Sequence, residues 1–343
     1  MSPAQRVGIA GPLLGGNPGW VTSQGEVLAA HLEAEGISVQ TTSSVPERGR
    51  RALDTLLSVR RWRASVDLVV VLVFSGPAFR MAELAVGQAW RSGLPVVSWL
   101  HGGDLPGFAE RHPGRVDRLL GRSRRVVAPT SYLAGLAPDR TTVVPNIVPD
   151  PPNDGPRPGP GPGGTRLLWM RTFHALYRPE LAVDVVDRLR EDHPEVSLTM
   201  AGQDKGSVGA VRARLRERAL EGQVRVVGFL DPGAKLDAFR SHDVFLNTTS
   251  VDNAPVSLLE AAGHGLPIVS TPAGGIPELL PDGEAALLAE DAPALAHAVH
   301  RILTSPELAE RLSDGAREVA RRSTWASVGP QWRELLDEVA DRG

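Results

Sequence analysis

The sequence predicts an α/β protein of two doubly wound domains, and three observations carry that expectation. Short, nearly continuous apolar and β-branched runs alternate with segments of helical periodicity along the 343 residues. That is the pattern of parallel strands buried on both faces and joined by helices. A stretch reading PDPPNDGPRPGPGPGG, residues 149–164, gives 12 of its 16 places to Pro and Gly and divides the chain nearly in half. Such a stretch builds neither helix nor sheet interior and serves as a semi-extended linker. The chain is also longer than the roughly 250 to 300 residues that one core usually serves. The expected domains are therefore 1–148 and 165–323, joined by the 149–164 linker and followed by a helix at 324–343.

In the first domain, strands are predicted at 6–10, 37–41, 68–74, 95–100, 125–128 and 141–144. Val21, Leu28 and Leu32 repeat at helical spacing between the first two strands, and Leu84, Gln88 and Arg91 mark a polar helix face further on. After the linker the alternation restarts, with strands at 166–170, 196–201, 223–227, 243–247 and 267–270. Leu181, Val185 and Leu189, then Leu295, Val299 and Leu303, outline helices between and after them. Near the end, Trp325, Val328, Trp332, Leu335, Leu336 and Val339 again fall at helical intervals. Open parallel sheets bind ligands beyond the carboxyl ends of their strands, so two facing domains would place the working site in a cleft between them.

Composition narrows the function. Apolar residues make up 42% and charged ones 22%, values of an ordinary soluble domain. The longest apolar run, 68–74, is far short of the roughly 20 residues that cross a bilayer. No signal-peptide pattern opens the chain, so a cytoplasmic location is expected. With no cysteine, disulfide scaffolds, thiolate catalysis and cysteine-held zinc are excluded. The net charge of −3 is unevenly spread: residues 1–150 hold 16 Arg against 12 acids, leaving 21 basic and 28 acidic residues beyond. Two stretches concentrate the excess, Arg48 to Arg63 and Arg111 to Arg125. They read either as solvated helix faces or as a patch for an anionic lipid surface, on the inner face of a membrane, or a phosphorylated acceptor. Nucleic acid is disfavoured, since no aromatics are interleaved and no nucleic-acid motif is visible.

The most specific passage runs DVFLNTTSVDNAPVSLLEAAGHGLPIVSTPAGGIPE, residues 243–278. A strand ends at Asn247, a polar loop carries Asp252, and Pro255 pre-sets the first turn of a helix on which Glu260 follows eight positions after Asp252. Both carboxylates can face one cleft, and the helix N-terminus offers amides and partial positive charge suited to a phosphate.

This passage resembles the acidic-x7-acidic region of retaining glycosyltransferases of the GT-B architecture, glycosyltransferase family 4 in particular. The matching positions are Glu260-Ala261, Gly265-Leu266-Pro267-Ile268-Val269-Ser270-Thr271 and Gly274-Gly275-Ile276-Pro277-Glu278. The chain departs at Asp252, where the family has glutamate, and at Asn253-Ala254-Pro255, where it has Gly-Phe-Gly. The resemblance implies two Rossmann-like domains facing across a cleft, with the last helix crossing back to the first. It implies that Glu260 binds the donor's ribose and Asp252 the transferred sugar, with Asn253, Val256 and Ser257 facing the diphosphate. Gly15-Gly16-Asn17-Pro18-Gly19 is similar to the family's glycine-rich loop, placing Gly15 and Gly16 near the donor phosphates and Asn17 toward the acceptor. The loop lacks the Gly-x-Gly-x-x-Gly spacing of a dinucleotide-binding dehydrogenase. His101-Gly102-Gly103-Asp104 stands where the family places a His-Gly pair near the transferred sugar, with Asp104 a candidate for orienting the acceptor. Val144-Pro145-Asn146 resembles its Pro-Asn-Gly segment.

Transfer leaves growing negative charge on a nucleoside diphosphate, which fixed cations and amides stabilise. The family commonly uses an Arg and a Lys at the start of the second domain. Arg171 fits the first; no Lys follows at the usual place, so the second would be Arg178 or Lys205. No Asp-x-Asp triplet occurs, so a metal-bridged diphosphate is not expected. The resemblance implies no cofactor, a nucleotide-diphospho-sugar substrate, UDP-linked by family frequency, a hydroxyl acceptor, and the leaving phosphate as the group that takes the acceptor proton. Rival readings are a nucleotide-sugar epimerase or phosphorylase on the same frame, or a catalytically silent nucleotide-sugar-binding scaffold. A phosphorylase would need a pyridoxal-phosphate lysine, and Lys205 and Lys235 are the only lysines.

Overall fold

The computed structural model describes residues 5–17, 20–42, 44–152 and 165–341. The linker stretch from 153 to 164, and Pro18 and Gly19 of the glycine-rich loop, lie outside the described residues. The chain divides into two compact units, one of residues 1–147 with 324–343, the other of residues 148–323. Each is built on a six-stranded, all-parallel sheet.

The first sheet has the order β2-β1-β3-β4-β5-β6, from β1 (Arg6–Ala10), β2 (Ser38–Thr41), β3 (Leu68–Val73), β4 (Val96–Leu100), β5 (Arg125–Ala128) and β6 (Thr141–Val143). Along β3 the side chains alternate between two cores. Val69, Val71 and Val73 join the helices Arg48–Arg61, Phe79–Arg91 and Pro113–Gly121, while Leu68, Val70 and Leu72 join Gln24–Ala34 and Trp325–Asp341. A strand buried on both faces reads as an unbroken apolar run for this reason. The last helix therefore packs within the first unit, where Val328, Trp332 and Leu336 are buried, and Arg125 and Glu338 close an ion pair. Val21 is not helical and is 68% exposed: the helix starts at Gln24, because Ser23 and Glu26 form a reciprocal capping box there.

The second sheet has the order β12-β11-β10-β7-β8-β9, from β7 (Arg166–Met170), β8 (Ser197–Ala201), β9 (Val224–Gly228), β10 (Val244–Asn247), β11 (Ile268–Ser270) and β12 (Leu287–Leu288). β12 is absent from the sequence expectation, because two residues give too little pattern to read. The order reverses beside β7, whose neighbours are β8 on one side and β10 on the other. A doubly wound sheet opens its ligand crevice at such a reversal, outside the carboxyl ends of the strands.

Candidate active site

At that reversal the segments leaving β7 and β10 meet. Arg171 follows the last residue of β7, and Asp252 sits in the loop leaving β10. Their side chains form an ion pair that is only 13% and 15% exposed. The Arg171 guanidinium also lies over the Tyr177 ring, Cζ 4.2 Å from its centroid, and Nη1 is 3.4 Å from the Ser257 hydroxyl. Its Nε is buried without a hydrogen-bond acceptor among the described residues. The Asp252 Oδ1 accepts from the Asn253 amide at 2.9 Å, which fixes the carboxylate against the buried Asn253.

The loop after β7 is held by the loop after β10. The Trp169 indole donates to the Thr248 hydroxyl at 2.9 Å, and that hydroxyl donates to the Tyr177 carbonyl at 2.8 Å. Ser250 donates to the Leu176 carbonyl through both its amide and its hydroxyl. On the other side the Arg171 amide donates to the Ala201 carbonyl, and Gly202 lies so near that a Cβ there would come 1.9 Å from the Arg171 carbonyl oxygen. With φ +148 as well, position 202 admits only glycine without moving Arg171.

The second carboxylate, Glu260, lies on the helix Val256–Gly263, entered through Pro255. Its Oε1 is 2.5 Å from Lys235 Nζ, on the first turn of the helix Pro232–Ser241. The Lys235–Glu260 pair is not anticipated by the sequence, which singles out Lys205 and Arg178 as candidates for the second diphosphate cation. Lys205 is exposed in the loop after β8, its amide donating to the Phe173 carbonyl. Arg178, with φ 43, links two helical turns, and its guanidinium donates to the Thr248 carbonyl at 3.0 Å and the Glu290 carbonyl at 3.4 Å. The fold thus gathers Arg171, Asp252, Asn253, Val256 and Ser257 in one locality and sets a lysine on Glu260.

In the first unit the sequence-derived residues have mostly local partners. The Gly15 amide donates to the Glu26 carboxylate at 2.9 Å, so it is engaged inside the loop, and a Cβ at Gly15 would meet Thr22 Cα at 2.5 Å. Gly16 faces open space. The Asn17 side chain donates to the Leu14 and Ser44 carbonyls at 3.1 and 2.8 Å, closing the loop. Asp104 is paired with Arg111 at 2.7 Å. His101, just past the end of β4, lies between Phe74 and Trp99, with centroids 5.2 and 4.5 Å away. Its Nε2 is buried without a partner among the described residues, and burial pushes its pKa down to about 3, so the ring is neutral near pH 7.

Among the described residues, no helix is long and apolar enough to cross a membrane. The family model for Glycosyl transferases group 1 matches residues 165–305, which lie in the second unit. A human relative, the phosphatidylinositol N-acetylglucosaminyltransferase component that this chain matches, is 26% identical over 294 residues, covering 79% of this chain and 58% of that protein. The chain therefore spans little more than half of that relative's length. Sucrose-phosphate synthase from Thermosynechococcus elongatus superposes with a TM-score of 0.79 at 16% identity, covering 99% of this chain and 100% of that one. Anabaena HepE, solved in complex with UDP and glucose, gives 0.75 at 16% identity, covering 97% and 100%. The fold is the two-unit α/β architecture called GT-B, and residues 165–305 are similar to the glycosyl transferases group 1 family.

Proposed function

We propose that this chain is a retaining glycosyltransferase that moves a sugar from a nucleotide-diphospho-sugar to a hydroxyl acceptor. The observation that carries the proposal is the Arg171–Asp252 pair at the reversal of the second sheet, where a cation and a carboxylate stand side by side beyond β7 and β10. A departing diphosphate needs a fixed cation, and Arg171 is held on three sides by Tyr177, Asp252 and the backbone of β8. Donor binding would exchange partners: the diphosphate takes the guanidinium, and the freed Asp252 carboxylate accepts hydrogen bonds from the sugar hydroxyls. The first-turn amides at Val256 and Ser257 have no acceptor within their helix and add partial positive charge. Glu260, steadied by Lys235, is the acceptor for ribose hydroxyls.

In the reaction the bond from the anomeric carbon to the diphosphate oxygen breaks, its electron pair leaving with the diphosphate. The acceptor oxygen bonds to the same face of the carbon, and its proton passes to the departing phosphate oxygen. This route uses the chain's own cations and calls for no metal. UDP is the favoured nucleotide, supported by the UDP held by HepE. At the carboxyl end of β4, His101 is proposed to contact the transferred sugar and Asp104 to orient the acceptor.

The test is release of nucleoside diphosphate from a panel of UDP-, GDP- and ADP-sugars, with the anomeric configuration of the product read by NMR. Slow release from one donor, lost in Arg171→Ala, is expected. Donor binding without turnover over days would sink the transferase reading in favour of a binding protein.

A further inference from the structure

The first unit is electrically polarised across its sheet. Three of the helices on one face, Arg48–Arg61, Phe79–Arg91 and Pro113–Gly121, place Val59, Val86 and Leu119 in a common core, which the shorter helices Leu105–Arg111 and Ser131–Ala134 complete. Together the first three carry nine arginines against the three carboxylates Asp54, Glu83 and Asp117, a net of +6. The helices on the opposite face, Gln24–Ala34 and Trp325–Asp341, carry one arginine against six carboxylates, a net of −5. Internal pairing does not absorb the positive charge. Arg115 pairs with Glu83, and Arg51 donates to the carbonyls of Val45 and Pro46. Arg48, Arg50, Arg60, Arg61, Arg80 and Arg91 are exposed and form no ion pair among the described residues.

Large apolar side chains stand exposed among these arginines. Leu53 is 59% exposed, Leu57 41%, Leu84 42% and Trp90 55%. Leu53 and Leu57 are one turn apart, and Arg50, Arg60 and Arg61 continue the same ridge at helical spacing. The Arg122 guanidinium lies over the Trp90 ring, 5.1 Å from its centroid. A hydrophilic polyanion would engage the arginines and leave the leucines wet. An anionic bilayer takes both, since guanidinium groups bind lipid phosphates while short apolar side chains enter the headgroup boundary. With no spanning helix among the described residues, such contact is peripheral and reversible.

We propose that the outer surface of these three helices is a docking face for an anionic lipid bilayer, with Leu53, Leu57 and Leu84 seated between headgroups and the flanking arginines on lipid phosphates. The inference concerns the first unit alone and holds whether or not the second transfers sugar.

Sedimentation of the full chain with vesicles of phosphatidylglycerol and phosphatidylcholine, against phosphatidylcholine alone, tests it. Binding to the anionic vesicles, weakened by salt, is expected. Both Arg60→Glu/Arg61→Glu and Leu53→Ser/Leu57→Ser should lower it by about tenfold or more, with melting temperature and nucleoside diphosphate release in solution unchanged. Equal binding to neutral vesicles would overturn the proposal, and so would wild-type binding by the leucine variant. Capture of a single-stranded RNA oligomer with no binding to anionic vesicles would overturn it too.

Discussion

Tyr177 lies beneath the guanidinium of Arg171, with Cζ 4.2 Å from the ring centroid. The phenol ring is itself fixed by its backbone, since the Tyr177 carbonyl accepts from Thr248, which in turn accepts from Trp169. A partly buried cation over an aromatic face gains about 0.5 to 2 kcal/mol. Tyr177→Leu removes the face and should lower kcat/KM about 2- to 30-fold, with kcat following. Tyr177→Phe keeps the ring and should restore most of the loss. Equal losses in both variants would mean that the hydroxyl, not the ring, matters.

Arg171 and Asp252 shield each other's charge, so removing either leaves the other poorly compensated in a place with little water. Arg171→Ala and Asp252→Asn should each cut turnover by about one to three orders of magnitude, the usual loss for a group that stabilises developing charge. The double variant should be more stable than the single losses summed, with a coupling of about 0.5 to 3 kcal/mol in urea unfolding. Additive stabilities would show that the pair is not made in solution.

His101 makes stability depend on acid. Its folded pKa is pushed down to about 3 by burial, against an ordinary value near 6.5. Between those values the unfolded chain binds a proton that the folded chain refuses, so stability falls as pH drops from about 6.5 toward 3. The residue keeps some exposure as a whole, so the loss should be on the order of 2 kcal/mol by pH 4 rather than the full linkage value. Urea unfolding at a series of pH values should show a flatter acid limb in His101→Gln. An unchanged limb would assign the acid sensitivity to other groups.

The parallel strands are legible in the sequence because burial on both faces removes polar interruptions, as in the run at β3 where every residue is buried. The edge strand β12 has two residues and carries no such signal. At the candidate site, Asp252, Glu260 and Arg171 are singled out through the resemblance of residues 243–278 and of the end of β7 to the family, and the fold brings Arg171 and Asp252 into contact. Tyr177 is not singled out, since its contact depends on a fold-back between two loops. Arg178 is a candidate phosphate cation through the resemblance alone, and its hydrogen bonds to the Thr248 and Glu290 carbonyls are not legible because they depend on the left-handed turn it occupies. Gly15 reads as a phosphate amide because the carboxylate that engages it, Glu26, belongs to the next helix.

Lys235 shows the same limit most clearly, since 25 residues separate it from Glu260 and only the packing of two helices brings Nζ to 2.5 Å from the carboxylate. One of the chain's two lysines thus stands beside the carboxylate proposed to hold ribose. Glu260 is 15% exposed, so its charge is poorly hydrated once the lysine is gone. Lys235→Met should raise the donor KM by about tenfold with kcat nearly unchanged, the signature of lost ground-state binding. It should also cost about 1 to 3 kcal/mol in urea unfolding, because an unpaired carboxylate remains partly buried. Lys235→Arg keeps the charge and should recover most of both. A loss confined to kcat would instead place Lys235 in the chemical step, and unchanged kinetics with lowered stability would make the pair purely structural.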